Sequence, residues 1–285
     1  LFGCIVAGTY WPLSLSTNAW IWILLLYIFV ASVTPVWILL QPRDYLNSFL
    51  LYALLVMAVM GIFAARPDVK LPAFVTLFDK ELGAIFPILF VTVACGAISG
   101  FHAVVSGGTT AKQLNREADA RPIGYGAMLV ESLVSVLAII VAMHISHGEH
   151  AHAVATKGPV ALFAENLGAF FSKFGLDAGH GTNFAALAVS AFVLTTLDTA
   201  TRLARFAFQE FFAPKEGGKP SILNRNRYIG TAVTVAAAAL LGFSGEWRKI
   251  WPIFGSANQL LAALALMAVS LWLRSRAMRY TFLKV

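Results

Sequence analysis

IFPILFVTVACGAISGFHAVVSGGTTAK, residues 85 to 112, starts as an apolar run and ends on His102, Ser106, Gly107, Gly108, Thr109, Thr110 and Lys112 in quick succession. Lipid cannot hydrogen-bond an imidazole, a hydroxyl or an unwound glycine backbone. Such groups persist at membrane depth only when buried in protein or lining a wet cavity. The stretch therefore predicts an all-α bundle in a membrane with a polar site inside it.

The rest of the chain agrees with that premise. Hydrophobic residues make up 59% of the sequence and charged residues only 12%, and mean hydropathy is +0.75; a soluble domain carries about twice that charge. Trp11, Trp20, Trp22, Trp37, Trp247 and Trp251 lie near the ends of apolar runs, where indoles anchor spans at the interface. A span needs about 20 mostly apolar residues. Candidates are 19–40, 45–65, 85–105, 123–143, 184–203, 228–243 and 251–273, about seven spans in a single polytopic domain over residues 1–285.

Gln41-Pro42-Arg43-Asp44 reads as a tight turn joining the first two spans, with Asp44 capping the second helix. Residues 144–183 are expected as an external loop carrying an interfacial helix at 159–174, whose apolar residues recur at helical spacing. Residues 204–227 are expected as a cytoplasmic loop, with the flexible KEGGKP linker at 215–220. Lys and Arg on this side of the spans outnumber those on the other by nearly two to one, which predicts a cytoplasmic C-terminus. The net charge of +7 is thereby a topology signal in short loops, and nucleic acid is not an expected partner. The chain opens on Leu1 and reaches its first charge at Arg43, so it lacks the basic start of a signal peptide and reads as part of a longer chain. Residues 2–9 fit the end of a span or an interfacial segment equally well. Cys4 and Cys95 are too few for a disulfide framework or a four-thiolate zinc site.

Three polar constellations stand at membrane depth. In the first, Ser99, His102, Ser106 and Thr109 or Thr110 share a helix face at spacings of three and four, and Gly107-Gly108 breaks the helix. A broken helix presents unpaired backbone groups to a solute, as in many transporters; a plain helix end with a satisfied histidine is the alternative. The second is TTLDTATR, residues 195–202, after fourteen uncharged residues. Asp198 is expected on the order of 7 Å inside the span at 1.5 Å per residue, sharing a face with Thr195, Thr199 and Arg202. It is either one partner of an Asp198–Arg202 pair or a proton or cation site ringed by hydroxyls. The third is WPIFGSANQ, residues 251–259, where Pro252 and Gly255 are expected to interrupt a helix. Ser256, Asn258 and Gln259 there offer polar groups to a ligand or glue to a neighbouring helix. Glu131 is a further intramembrane carboxylate, a possible partner of His102 or Lys112. His144, His147, His150 and His152 with Glu149 could hold zinc, but they lack the i, i+4 helical pair of a zinc protease and a solvated loop accounts for them. No metal and no cofactor is expected.

Five motifs in order, WILLQPRDYLN at 37–47, SGFHAVVSGGTTAKQ at 99–113, DARPIGYG at 119–126, TTLDTATR at 195–202 and WPIFGSANQ at 251–259, resemble the carbon starvation protein A family over residues 37–273. The resemblance implies a transporter of the bacterial or archaeal inner membrane, taking up peptides or pyruvate under nutrient limitation. It also implies part of an inverted-repeat fold akin to the amino acid–polyamine–organocation carriers. No internal repeat is visible in the sequence, and the family's N-terminal spans are expected to precede Leu1. With the motifs, this points to secondary transport coupled to protons or sodium. Substrate would be held at His102, Ser106, Gly107, Gly108, Thr109, Thr110, Lys112, Ser256, Asn258 and Gln259. Ion coupling would fall to Asp198, Thr195, Thr199 and Glu131, and no residue has a catalytic role. A nutrient sensor and a membrane-embedded metalloenzyme are the rival classes.

Overall fold

The structure is a computed structural model that describes residues 7–8, 10–79, 83–214, 221–245 and 247–277. The segment at 2–9, Cys4 and the 215–220 linker lie wholly or largely outside the described residues, as do the side chains of Cys95, His147, His150, Trp247 and Trp251. The described elements are α1 (Thr17–Val33), α2 (Val36–Ala65), β1 (Phe78–Asp79), β2 (Gly83–Ala84), α3 (Ile85–Ala97), α4 (Gly100–Gly108), α5 (Ala120–Met143), α6 (His147–Lys157), α7 (Pro159–Ser172), α8 (Ala178–Phe211), α9 (Ile222–Arg225), α10 (Arg227–Ser244) and α11 (Trp247–Ser275). The two strands form only a small antiparallel hairpin, so the fold is all-α. Five helices among the described residues are long and apolar enough to cross a membrane: α2, α5 with its preceding turn, α8, α10 and the 253–275 part of α11. The α1 helix is apolar but shorter. Large apolar side chains such as Trp22, Phe63, Leu240 and Leu271 face outward, as lipid solvation favours.

The expected hairpin at 41–44 is not where the chain turns. Helix α1 stops at Val33 because Thr34, preceding Pro35, is extended (φ −70°, ψ 143°). Helix α2 then runs from Val36 straight through Pro42. Arg43 and Asp44 therefore sit inside a helix, and Asp44 caps nothing. Helix α11 likewise continues through Pro252 and Gly255, without the expected interruption. Conversely, the candidate span at 85–105 is split: α3 ends at Ala97 and α4 begins at Gly100, with Ser99 as its N-cap accepting from the His102 amide at 3.3 Å. Helix α4 ends at Gly108, where the glycine pair was expected to break it, and a 3-10 turn follows at Thr110–Gln113.

The chain groups into two compact units, one of Leu1–Ala73 with Val134–Phe243, the other of Phe74–Leu133 with Ser244–Val285. In the first, α8 packs on α1, α2, α7 and α9. Helix α7 forms where helical spacing predicted it, and buries Leu162, Ala164, Leu167, Phe170 and Phe171. Glycine makes this possible. A Cβ on Gly168 would fall 2.7 Å from the Thr182 amide nitrogen and the Ala178 carbonyl, and Gly181 faces Phe171. Small residues at a crossing let helix backbones meet, the usual source of packing energy between helices in lipid. The stretch 147–157, expected as loop, is the helix α6, and 204–211 continues α8 where a loop was expected. Helix α8 opens on Asp177, which accepts from the His180 amide at 3.0 Å; that donor holds the Asp177 carboxyl below its ordinary range. In the second unit, α11 packs on α3 and α4.

Candidate functional site

Asp198 is fully buried in α8. Helix α8 continues to Phe211, so Asp198 lies about 20 Å of helix from that end. Its partner is not Arg202. Arg43 of α2 reaches it through Nη1 and forms an ion pair with Oδ2, while the Tyr27 hydroxyl of α1 donates to the same oxygen at 3.0 Å. Arg43 Nη1 also donates to the Tyr27 oxygen at 2.8 Å, closing a three-membered ring of contacts. The other edge of the guanidinium holds Asp44, with Nε and Nη2 at 3.1 and 2.5 Å from Oδ1. Arg43 is thus shared between a carboxylate with no exposure and one that is 52% exposed. Asp198 Oδ1 is buried without a hydrogen-bond partner.

Arg202, one turn on, serves a different end. Its Nη2 donates to the carbonyls of Ala31 and Thr34, both at 2.6 Å. These groups lie where α1 ends, so the arginine supplies donors that the helix itself lacks and places positive charge at the negative end of its dipole. Below it, Ser32 and Thr231 join hydroxyls at 3.2 Å between α1 and α10. Thr195 spends its hydroxyl on the Phe192 carbonyl at 2.6 Å, so the group that meets Asp198 is Tyr27 and not a ring of threonines. Thr199 is half-buried on the same helix.

In the second unit, Asn258 of α11 is buried and binds the start of α4. Its Oδ1 accepts from the Phe101 amide at 2.7 Å and the Ser99 hydroxyl at 3.3 Å. Gly100 fits between because it has no side chain: a Cβ there would stand 2.7 Å from the Ala262 nitrogen and overlap the Asn258 carbonyl. Of the two roles open to Asn258 in the sequence, ligand contact and glue to a neighbouring helix, its Oδ1 takes the second. Gln259 is half-buried, with Nε2 buried and unpartnered. His102, Ser106, Gly107, Lys112 and Ser256 are exposed; Thr109 is buried with its hydroxyl on the Val105 carbonyl at 2.8 Å. Gly108, Thr110 and Glu131 are half-buried.

The structure therefore brings Asn258 together with the Ser99–His102 turn in one unit, and gathers Asp198, Tyr27 and Arg43 in the other. Tyr27 and Arg43 escaped the sequence reading. A signal existed for Arg43: it is the first charge after more than forty residues and falls in one of the five motifs. Of the histidine group, His144 meets the Phe170 ring edge-on at 5.4 Å and Glu149 accepts from Ser146 at 2.7 Å, which holds that exposed carboxyl below its ordinary range. No metal-binding group of three or more is present among the described residues.

Comparison with known proteins places the chain. It is 34% identical over 89% of its length to a protein named peptide transporter CstA in Bacillus subtilis, covering 48% of that protein. It is 33% identical over 93% of its length to one named pyruvate/proton symporter BtsT in Escherichia coli, again covering 48%. The peptide transporter CstA of Escherichia coli is 32% identical over 92% of the chain and 46% of its own length. The chain thus spans about half the length of the curated relatives it matches. No solved structure matches it. The sequence model of carbon starvation protein CstA matches residues 1–156 and 147–285, the whole chain between them, and with its five span-length helices the protein belongs to this family of multi-pass membrane proteins.

Proposed function

We propose that this chain is part of a secondary transporter that moves small carboxylate-bearing nutrients, peptides or pyruvate, across a bacterial or archaeal inner membrane, driven by a proton or sodium gradient. Its relatives carry the names of a peptide transporter and a pyruvate/proton symporter. The observation that carries the proposal is Asp198: a carboxylate with no exposure, inside a 34-residue helix, with one oxygen unpartnered. An intramembrane carboxylate costs at least about 2.5 kcal/mol. A packing role alone would be served by an apolar residue at lower cost, whereas a coupling ion needs an acceptor of this kind.

Asp198 takes the coupling ion, with the Tyr27 hydroxyl as the polar group beside it. The substrate carboxylate is bound from the broken helix: His102 and Ser106 on one exposed face, the Gly107–Thr110 backbone and hydroxyls, and the positive charge of Lys112. Ser256 and Gln259 add polar groups from α11, and Asn258 holds the break in shape. The role is transport, without a catalytic residue or a cofactor. The test is uptake of labelled pyruvate and of a labelled dipeptide by the complete protein in proteoliposomes under imposed pH or sodium gradients. Accumulation of either that follows the gradient supports the proposal; binding of both without movement, or movement indifferent to every gradient, contradicts it.

A further inference from the structure

Arg43 is held from two sides, and the two sides differ in kind. Nη1 points to Asp198, which is completely enclosed, while Nε and Nη2 rest on Asp44, which faces out. Breaking a buried ion pair is costly mainly when it strands a charge. Here neither partner would be stranded. A proton on Oδ1 makes Asp198 neutral, and Arg43 keeps Asp44 and is itself 16% exposed. A single unpartnered oxygen suits a proton, which needs one acceptor, better than a metal cation, which needs several. Arg43 also follows Pro42 directly, the point in α2 where a backbone N–H is missing and the helix bends most easily.

We propose that Arg43 is a latch tying α2 to α8, closed while Asp198 is charged and released to Asp44 when Asp198 accepts a proton. This rests on the reading of Asp198 as the coupling site and names the motion that its protonation sets off. The surroundings leave the choice to these groups. Helix α1 contributes Tyr27 and no charge; α2 contributes Arg43 and Asp44. Arg202 of α8 is occupied by the Ala31 and Thr34 carbonyls, the buried Arg205 two turns beyond Asp198 lies over the Phe206 ring at 4.5 Å, and Glu165 of α7 is held by Lys157 at 3.0 Å. Arg225 of α9 is next to Asn224, which pairs with Gln209, three turns of α8 beyond Asp198. When Arg43 leaves, Tyr27 loses the donor to its oxygen and keeps Asp198 as a partner, so α1 stays attached while α2 is freed.

Infrared difference titration of the complete protein in liposomes reads the protonated carboxyl directly, with Asp198→Asn identifying its band. Arg43→Gln is expected to move the midpoint of that band to more alkaline pH by roughly one to three pH units, since a nearby cation favours the charged form. Asp44→Asn moves it the other way, because Arg43 then has only Asp198, and Asp44→Glu restores it. Should Arg43→Gln fail to assemble, Arg43→Lys serves: a single ammonium lacks the two-sided fork, so Asp44→Asn added to it has no further effect. A midpoint unmoved by Asp44→Asn, or an Asp198 band that responds to sodium and not to pH, overturns the latch. The two ideas fail separately. Gradient-driven uptake intact in Asp198→Asn removes the coupling role while the titration shifts stand; lost uptake with unshifted midpoints removes only the latch.

Discussion

The cluster around Asp198 and the one around Asn258 both set polar groups among apolar helices, yet they solve that problem differently. Asp198, Arg43 and Arg202 are charges whose contacts join α8 to α1 and α2, 155 and 171 residues apart along the chain at the Arg43 and Tyr27 contacts to Asp198. Asn258, Ser99 and the Phe101 amide are neutral, and they repair one helix break from a single neighbour. The first arrangement leaves a buried carboxylate oxygen over; the second uses Asn258 Oδ1 twice and leaves the exposed His102 and Ser106 on the same short helix. Charge with a vacancy suits something that changes state. A closed neutral frame suits something that holds still while a solute is bound.

The largest expected effect separates the two. Arg43→Ala strands Asp198 without a cation, and removing one member of a buried ion pair costs about 3–5 kcal/mol; thermal unfolding in detergent should show it, and Asp198→Asn in the same background should recover most of the loss. Asn258→Ala leaves the Phe101 amide without its acceptor, which costs about 1–3 kcal/mol, and no second substitution of a charge should restore it. If Asn258→Ala proved as damaging as Arg43→Ala, the contrast between the clusters would collapse.

Smaller effects set the scale. The Ser32–Thr231 hydroxyl contact should show a coupling of about 0.6 kcal/mol in a double-mutant cycle with Ser32→Ala and Thr231→Val, the usual size for such pairs between membrane helices. Asp177 is the exposed counterpart to Asp198. Its carboxyl is held low in the folded protein by the His180 amide, so its cap is fully present above the ordinary Asp range and fades as pH falls through the lowered value. A slight acid-side loss of stability, absent in Asp177→Asn, is the expected reading.

How much of this was legible in the sequence follows the same division. Uninterrupted apolar runs gave α5, α10 and most of α8 and α11, because twenty apolar residues admit few alternatives to a span. Of the two ends of α4, the Gly107-Gly108 end is legible in the sequence, whereas the Ser99–Gly100 start depends on an Asn258 that lies 157 residues from the amide it accepts from. Gln41–Asp44 has the composition of a turn, and only the partner at Asp198, 155 residues away, explains why those charges lie within a helix. Spacing alone made Arg202 one of two readings for Asp198, beside an ion site. The carbonyls at the end of α1 were the better acceptors, and nothing local announces them. Polar residues at depth were thus recognisable one by one, while their pairing was decided by helix packing.

The central claim, that Asp198 couples an ion to the solute, is tested most directly by comparing two assays of the same Asp198→Asn protein in proteoliposomes. Counterflow, the exchange of labelled for unlabelled pyruvate or dipeptide without a gradient, should persist, and accumulation against a concentration difference under an imposed pH or sodium gradient should vanish. Accumulation at the wild-type level in that variant would contradict the claim.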